Sequence, residues 1–137
     1  MDEFVISHSG IELAFFDREP SNRAEPLDYF SVRFTQPNLS AQCRVSAYYS
    51  PDLAVFFAEM ARQWGGWQGE LEWSCLEYEL KLQCRNDGLG HISIRADLSC
   101  GPMPDDWRVR ATFMADAGQL EGLAKRAALF FGEPNCL

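Results

Sequence analysis

Between Ser50 and Trp64 the apolar side chains Leu53, Phe56, Phe57, Met60, Ala61 and Trp64 recur at i, i+3, i+4 and i+7. That spacing lays one stripe along a helix. Ser50 is placed to cap the free N–H groups, Pro51 suits the first helical position, and Asp52 favours the positive end of the helix dipole. Gly65-Gly66 ends the segment. A second helical stretch runs from about Gln119 to Phe131, with Leu120, Leu123, Ala124, Ala127 and Phe130/Phe131 on one side, and Gly132 and Pro134 stop it. Each ends in a pair of large apolar groups, which predicts that both helices lie against the same sheet.

The remainder alternates. Phe30, Val32 and Phe34 interleave with Ser31, Arg33 and Thr35, and Cys43, Val45, Ala47 and Tyr49 with Arg44, Ser46 and Tyr48. Leu76, Tyr78, Leu80, Leu82 and Cys84 interleave with Glu77, Glu79, Lys81 and Gln83. Ile92, Ile94, Ala96 and Leu98 form a second such run after the helix, and Trp107, Val109, Ala111 and Phe113 a third. Strict alternation means one buried and one wet face, the antiparallel pattern. Asn86-Asp87-Gly88 marks a hairpin. Centring it on Asp87 puts Leu82 opposite Ile92, Leu80 opposite Ile94 and Glu79 opposite Arg95, whereas centring it on Gly88 sets Lys81 against Arg95 and Glu79 against Asp97, so the first register is expected. Residues 18–28 and 100–106, rich in proline and turn formers, read as loops. The pattern predicts an α+β fold, a mainly antiparallel sheet of about six to seven strands packed by two helices, in the order β-β-β-β-α-β-β-β-α.

Length and charge narrow the class. The 137 residues fit one domain, 1–137, and ten Phe, four Trp and four Tyr supply a core. The N-terminus opens on two acids with no basic n-region, so no signal peptide is expected and the chain is expected to be cytoplasmic. A formal charge of −8 argues against nucleic acid or an anionic membrane as partner and permits a basic one. The acidity is blocked. Residues 1–30 hold seven acids and two arginines, residues 51–80 hold six acids and one arginine, and the rest sum to +2. Five cysteines without a C-x-x-C pair suit a reduced chain with small buried thiols, four of them within strands, and Cys136 is expected to be exposed.

Catalytic constellations are sparse. His8 and His91 sit in no nucleophile-elbow or H-E-x-x-H spacing, and no set of three ligands is in view, so neither a metal nor a cofactor is expected. Cys84 and His91 belong to opposite strand faces, which separates a thiol from its base. The glycines of Trp64-Gly65-Gly66-Trp67-Gln68-Gly69 have no lysine and no preceding strand, and Glu70 and Glu72 repel an anion there. Glu77 and Glu79, i and i+2 on one strand face, are the carboxylate pair nearest to acid–base geometry, and a salt bridge to Arg95 explains them more simply. Three tryptophans within residues 64–73, spaced by glycine and flanked by acids, exceed what a turn requires. They serve as plugs of the helix-to-sheet junction, as an aromatic patch for a protein partner, or as both.

The stretch from Phe56-Phe57 through Trp64, Gly66-Trp67, Gly69, Trp73, Leu76-Glu77, Asp87-Gly88, Gly90-His91 and Trp107 to Gly118-Gln119-Leu120-Glu121 and Phe130-Phe131 resembles the WapI-type bacterial immunity proteins and a closely similar uncharacterised bacterial family. The resemblance covers about two-thirds of the chain, and residues 1–50 match loosely. It implies a non-enzymatic immunity protein that binds the C-terminal toxin domain of a cognate bacterial effector, as in polymorphic-toxin and contact-dependent inhibition systems. It carries no catalytic residue over. An acidic inhibitor steers onto a basic toxin, and the partner-binding residues expected are Glu59, Trp67, Glu70, Glu72, Glu77 and Glu79. Two other readings stay open: a small enzyme or ligand-binding protein using Glu77, Glu79 and His91 on the polar sheet face, and a homo-oligomeric accessory protein such as a homodimer.

Overall fold

Alternation builds two meanders. β1 (Glu3–His8), β2 (Ile11–Glu19), β3 (Tyr29–Gln36) and β4 (Leu39–Ser46) pair antiparallel in chain order. After α1 (Leu53–Arg62), β5 (Leu71–Ser74), β6 (Leu80–Asn86), β7 (His91–Ser99) and β8 (Arg108–Asp116) do the same, and a 3-10 turn, Ala117–Gln119, leads into α2 (Leu120–Phe131). The computed structural model describes residues 3–132; Pro134 and Cys136 lie outside them. Neither helix is long and apolar enough to cross a membrane, a statement about the described helices that leaves strands aside. The α+β class and antiparallel pairing are as expected. Among the described residues the strands number eight in two sheets, with four, not three, after α1.

The extra strand arises where one long run was expected. Ser74 and Leu80 bracket an irregular stretch, so the pattern through Leu76 and Tyr78 never joins a ladder, and both side chains are exposed. The break also turns Glu79 over. Expected on the outward face beside Glu77, it is 6% exposed. Its carboxylate accepts from the Ser46 backbone N–H at 3.1 Å and from the Cys75 thiol at 3.4 Å.

The hairpin register differs from both alternatives weighed. Leu82 faces Ala96, Leu80 faces Leu98, Lys81 faces Asp97 and Gln83 faces Arg95. The loop is longer than assumed because Asp87 closes it: its carboxylate accepts from the N–H groups of Leu89 (2.6 Å) and His91 (3.2 Å). The adopted pairing sets Lys81 against an opposite charge, in keeping with the argument used to choose a register. At the start of α1, Asp52, not Ser50, is the N-cap, its side chain accepting from the Ala54 N–H at 2.8 Å. Ser50 is diverted to accept from the Leu76 N–H at 3.0 Å.

A bulge re-aims one strand. Between Phe16 and Glu19 the β2 register shifts, Asp17 adopts φ 51°, and Arg18 takes the inward place that unbroken alternation gives to Asp17. The buried guanidinium donates to five carbonyl oxygens: Phe130 (2.9 Å) and Phe131 (3.1 Å) at the end of α2, and Pro20 (2.6 Å), Asn22 (3.4 Å) and Glu25 (3.1 Å) in the following loop. It thus serves as a C-cap supplied from another element. Desolvation pulls its pKa below the usual value, with Glu25 opposing, but an arginine stays charged.

One core joins both inner sheet faces and both helices. Phe15 stacks on Phe4 at 5.4 Å and meets Phe30, Phe57 and Phe131. Through Phe57 and Phe131, α1 and α2 both reach Phe4 and Phe15 of the first sheet, while Phe34 of that sheet touches Phe113 of the second.

Of the cysteines, Cys43 and Cys84 lie in strands and Cys75 just after β5, all buried, whereas Cys100 follows β7 and is exposed. Burial pushes the Cys43 and Cys84 thiols up to about 12. Both are therefore neutral in the fold where an unfolded thiol, near pKa ~8.5, already ionises. Their contribution to stability is complete below that unfolded value and is lost as pH rises toward about 12. Alkylation at pH 8 followed by peptide mapping is expected to label Cys100 and to spare Cys43, Cys75 and Cys84 until denaturant is added. Native labelling of Cys84 at the rate of Cys100 would contradict this burial.

Candidate functional site

Two turns meet at one end of the second sheet. After α1, the Gly66 N–H returns to the Gln63 carbonyl at 2.9 Å, and the Asn86 side-chain amide holds the Trp64 carbonyl at 3.0 Å. Gly66 has φ 135°, and a Cβ built there would stand 3.3 Å from the Gly88 Cα, so the turns abut through glycine. On the hairpin side, Asn86 accepts from the Gly88 N–H, and Asp87 fixes Leu89 and His91. This geometry presents two large apolar side chains to solvent: Trp64 is 67% and Leu89 80% exposed.

Carboxylates sit on the same elements. Glu59 on the last turns of α1 is gripped by Arg62 and Gln63, and the Arg62 hydrogen bond holds its carboxyl below the usual range. The Leu89 N–H, then the His91 ring, hold the Asp87 carboxyl low, and His91 Nδ1 lies 2.9 Å from its oxygen. Glu70 stands 4.0 Å from Arg85. Glu72 accepts from Gln83 at 2.9 Å and lies 3.9 Å from Lys81. Glu59 and Asp87, both held below the usual range, are ionised at neutral pH.

The expected contact set therefore divides. Glu59 and Glu70 belong to the elements that carry the exposed pair, and Glu72 lies on the outer face of β5. Trp67 is half-buried against the core and donates its indole N–H to the Cys84 carbonyl at 3.1 Å. Trp73 is buried and donates to the Pro51 carbonyl at 2.7 Å. Trp64, placed in the buried stripe by periodicity, is the exposed ring, because α1 stops at Arg62 and the next turn swings away. Glu77 is exposed in the irregular 75–79 stretch at the far end of the sheet. Glu79 is inside.

The polar-face constellation of Glu77, Glu79 and His91 is not assembled. Leu80 pairs with Leu98 at one end of the β6–β7 ladder and Asn86 with Ile92 at the other, so Glu77 and His91 sit at opposite ends, and Glu79 faces the core. No group of three metal-ligating side chains is present among the described residues. Leu89 was missed in the sequence, although an apolar residue directly after Asn-Asp-Gly, where a turn favours polar side chains, is a usable signal.

Residues 5–134 match the model of a family described as a family of unknown function, DUF6228. No curated protein and no solved structure matches the chain.

Proposed function

We propose, for a chain that belongs to the DUF6228 family, the role of an immunity protein that binds the toxin domain of a cognate effector and silences it by steric and electrostatic occlusion. The observation that carries this reading is Trp64 and Leu89 exposed on abutting turns, with Asp87 holding the Leu89 N–H and Glu59 holding Gln63, the residue before Trp64. An exposed tryptophan inside a charged rim is the composition of an interface hot spot. The resemblance of residues 56–131 to WapI-type immunity proteins supplies the partner class, and a charge of −8 favours a basic toxin surface. Inhibition of this kind requires no chemistry from the inhibitor.

The test is co-expression with a toxin domain encoded beside this gene, followed by binding kinetics on the purified pair. Neutralisation with direct binding is expected. Trp64→Ala is expected to speed dissociation at least ~10-fold with the melting temperature nearly unchanged, since the ring is exposed. The triple reversal Glu59→Lys, Glu70→Lys, Glu72→Lys is expected to slow association and flatten its salt dependence. A toxin that stays lethal and unbound sinks the reading. Parent-like dissociation by Trp64→Ala moves the interface elsewhere.

A further inference from the structure

At the opposite end of the second sheet lies a groove of about 580 Å³, within the size range of small-ligand sites. Its floor is set by register. Ser74 pairs with Lys81, Lys81 with Asp97 and Asp97 with Arg110, forming one row across four strands, and Ser99 pairs with Arg108 in the adjoining row. All have side chains on the sheet face away from Leu80, Leu82 and the core. The irregular 75–79 stretch supplies a wall, with Tyr78 and Glu77 lining the groove.

The lining holds three cations against two carboxylates in a chain whose formal charge is −8. Those charges are unequally engaged. Asp97 is bracketed: one oxygen accepts from Arg110 at 2.8 Å and the other lies 3.9 Å from Arg95. Two guanidinium groups thus offset its charge. Lys81 has Glu72 at 3.9 Å, outside the lining. Arg108 reaches only the backbone carbonyls of Asp106 and Met103, each at 3.3 Å, and no carboxylate pairs with it among the described residues. A guanidinium satisfied by two long contacts to carbonyl dipoles gains by exchanging them for a charged fork-shaped acceptor.

We propose that this groove is a binding site for a small oxyanion-bearing ligand, a carboxylate or a phosphate, received by Arg108 and Lys81 beside the Tyr78 ring. The site is independent of the turn end of the sheet. Glu77, exposed and lining the groove, disfavours highly charged ligands that fill the whole groove and restricts the anionic part to the Arg108–Lys81 side.

Amide chemical-shift titration of the full chain tests this, with citrate and inorganic phosphate as separate arms at constant ionic strength. Saturable shifts confined to residues 77–81, 97–99 and 108–110 are expected in at least one arm, which identifies the oxyanion. Arg108→Gln is expected to weaken that binding about tenfold or more, the scale of a lost charged hydrogen bond. Lys81→Gln is expected to weaken it less, and Arg85→Gln, on the same sheet face outside the groove, not at all. Should Arg108→Gln fail to fold, the contrast between Lys81→Gln and Arg85→Gln carries the test. Absence of saturation in both arms to ~10 mM overturns the proposal, as do shifts that are equal in Arg85→Gln and Lys81→Gln, since these signal diffuse charge attraction only.

Discussion

Phe15→Ala is expected to destabilise the protein by about 3–5 kcal/mol, the range for removing a fully buried phenyl ring. Phe15 has no exposed surface and stands at the centre of an aromatic cluster: Phe4 at 5.4 Å, Phe131 at 5.6 Å, Phe30 at 5.8 Å and Phe57 at 6.5 Å. Those four rings come from two strands of the first sheet and both helices, so a cavity here loosens that sheet and both helices at once and little can collapse into it. Thermal unfolding followed by circular dichroism is expected to show a midpoint roughly 10–20 °C lower for a domain of this size. The neighbouring Phe16 is half-buried on the outer face under Arg33, whose guanidinium lies 4.7 Å from the ring centre. Phe16→Ala is therefore the milder control. A loss below ~1 kcal/mol for Phe15→Ala would be incompatible with a packed central ring.

Arg18→Met follows in size, with about 3 kcal/mol expected to be lost. Methionine keeps much of the apolar stem but leaves the Phe130 and Phe131 carbonyls without their buried donor, and each stranded buried group costs ~1–3 kcal/mol. Replacing buried ion pairs by apolar side chains is often harmless because both charges leave together. Here the partners are backbone oxygens that cannot leave. Urea unfolding measures the loss, and hydrogen exchange localises it: the last turn of α2 and the loop after β2 are expected to lose protection first. Arg18→Lys keeps the charge but not the fork, and its stability is expected to fall between the two.

These two residues show what the pattern of side chains can convey. Phe30, Val32 and Phe34, or Ile92, Ile94 and Leu98, are read from alternation because each stays in one unbroken ladder, where parity and face are the same thing. Arg18 and Glu79 each sit within an irregularity, a bulge in one case and the 75–79 break in the other. Each irregularity shifts parity by a residue, and a charged side chain then turns inward against its own preference. Composition contains no trace of that, because two of the five backbone carbonyls that compensate Arg18 lie more than a hundred positions away. The candidate surface was half legible. Its acids were visible at Glu59 and Glu70, but the choice among Trp64, Trp67 and Trp73 depends on where α1 stops and on which indole finds a carbonyl. Those are tertiary facts.

The order of elements also sets a timetable for synthesis. Each sheet is made from one contiguous stretch, residues 3–46 and 71–116, so each can hydrogen-bond itself as soon as its own strands have left the ribosome. Covering the first sheet is another matter. Phe4, Phe15 and Phe30 share Phe131 as a neighbour, and Arg18 waits for the carbonyls of the same turn. From the emergence of β3 until residue 131 clears the exit tunnel, an aromatic face stands open on an unfinished chain, with roughly a hundred residues still to emerge at ~5–20 residues per second. For those several seconds the nascent chain depends on slow self-association or on a chaperone to stay apart from its neighbours, and the last helix acts as the latch that ends the exposure.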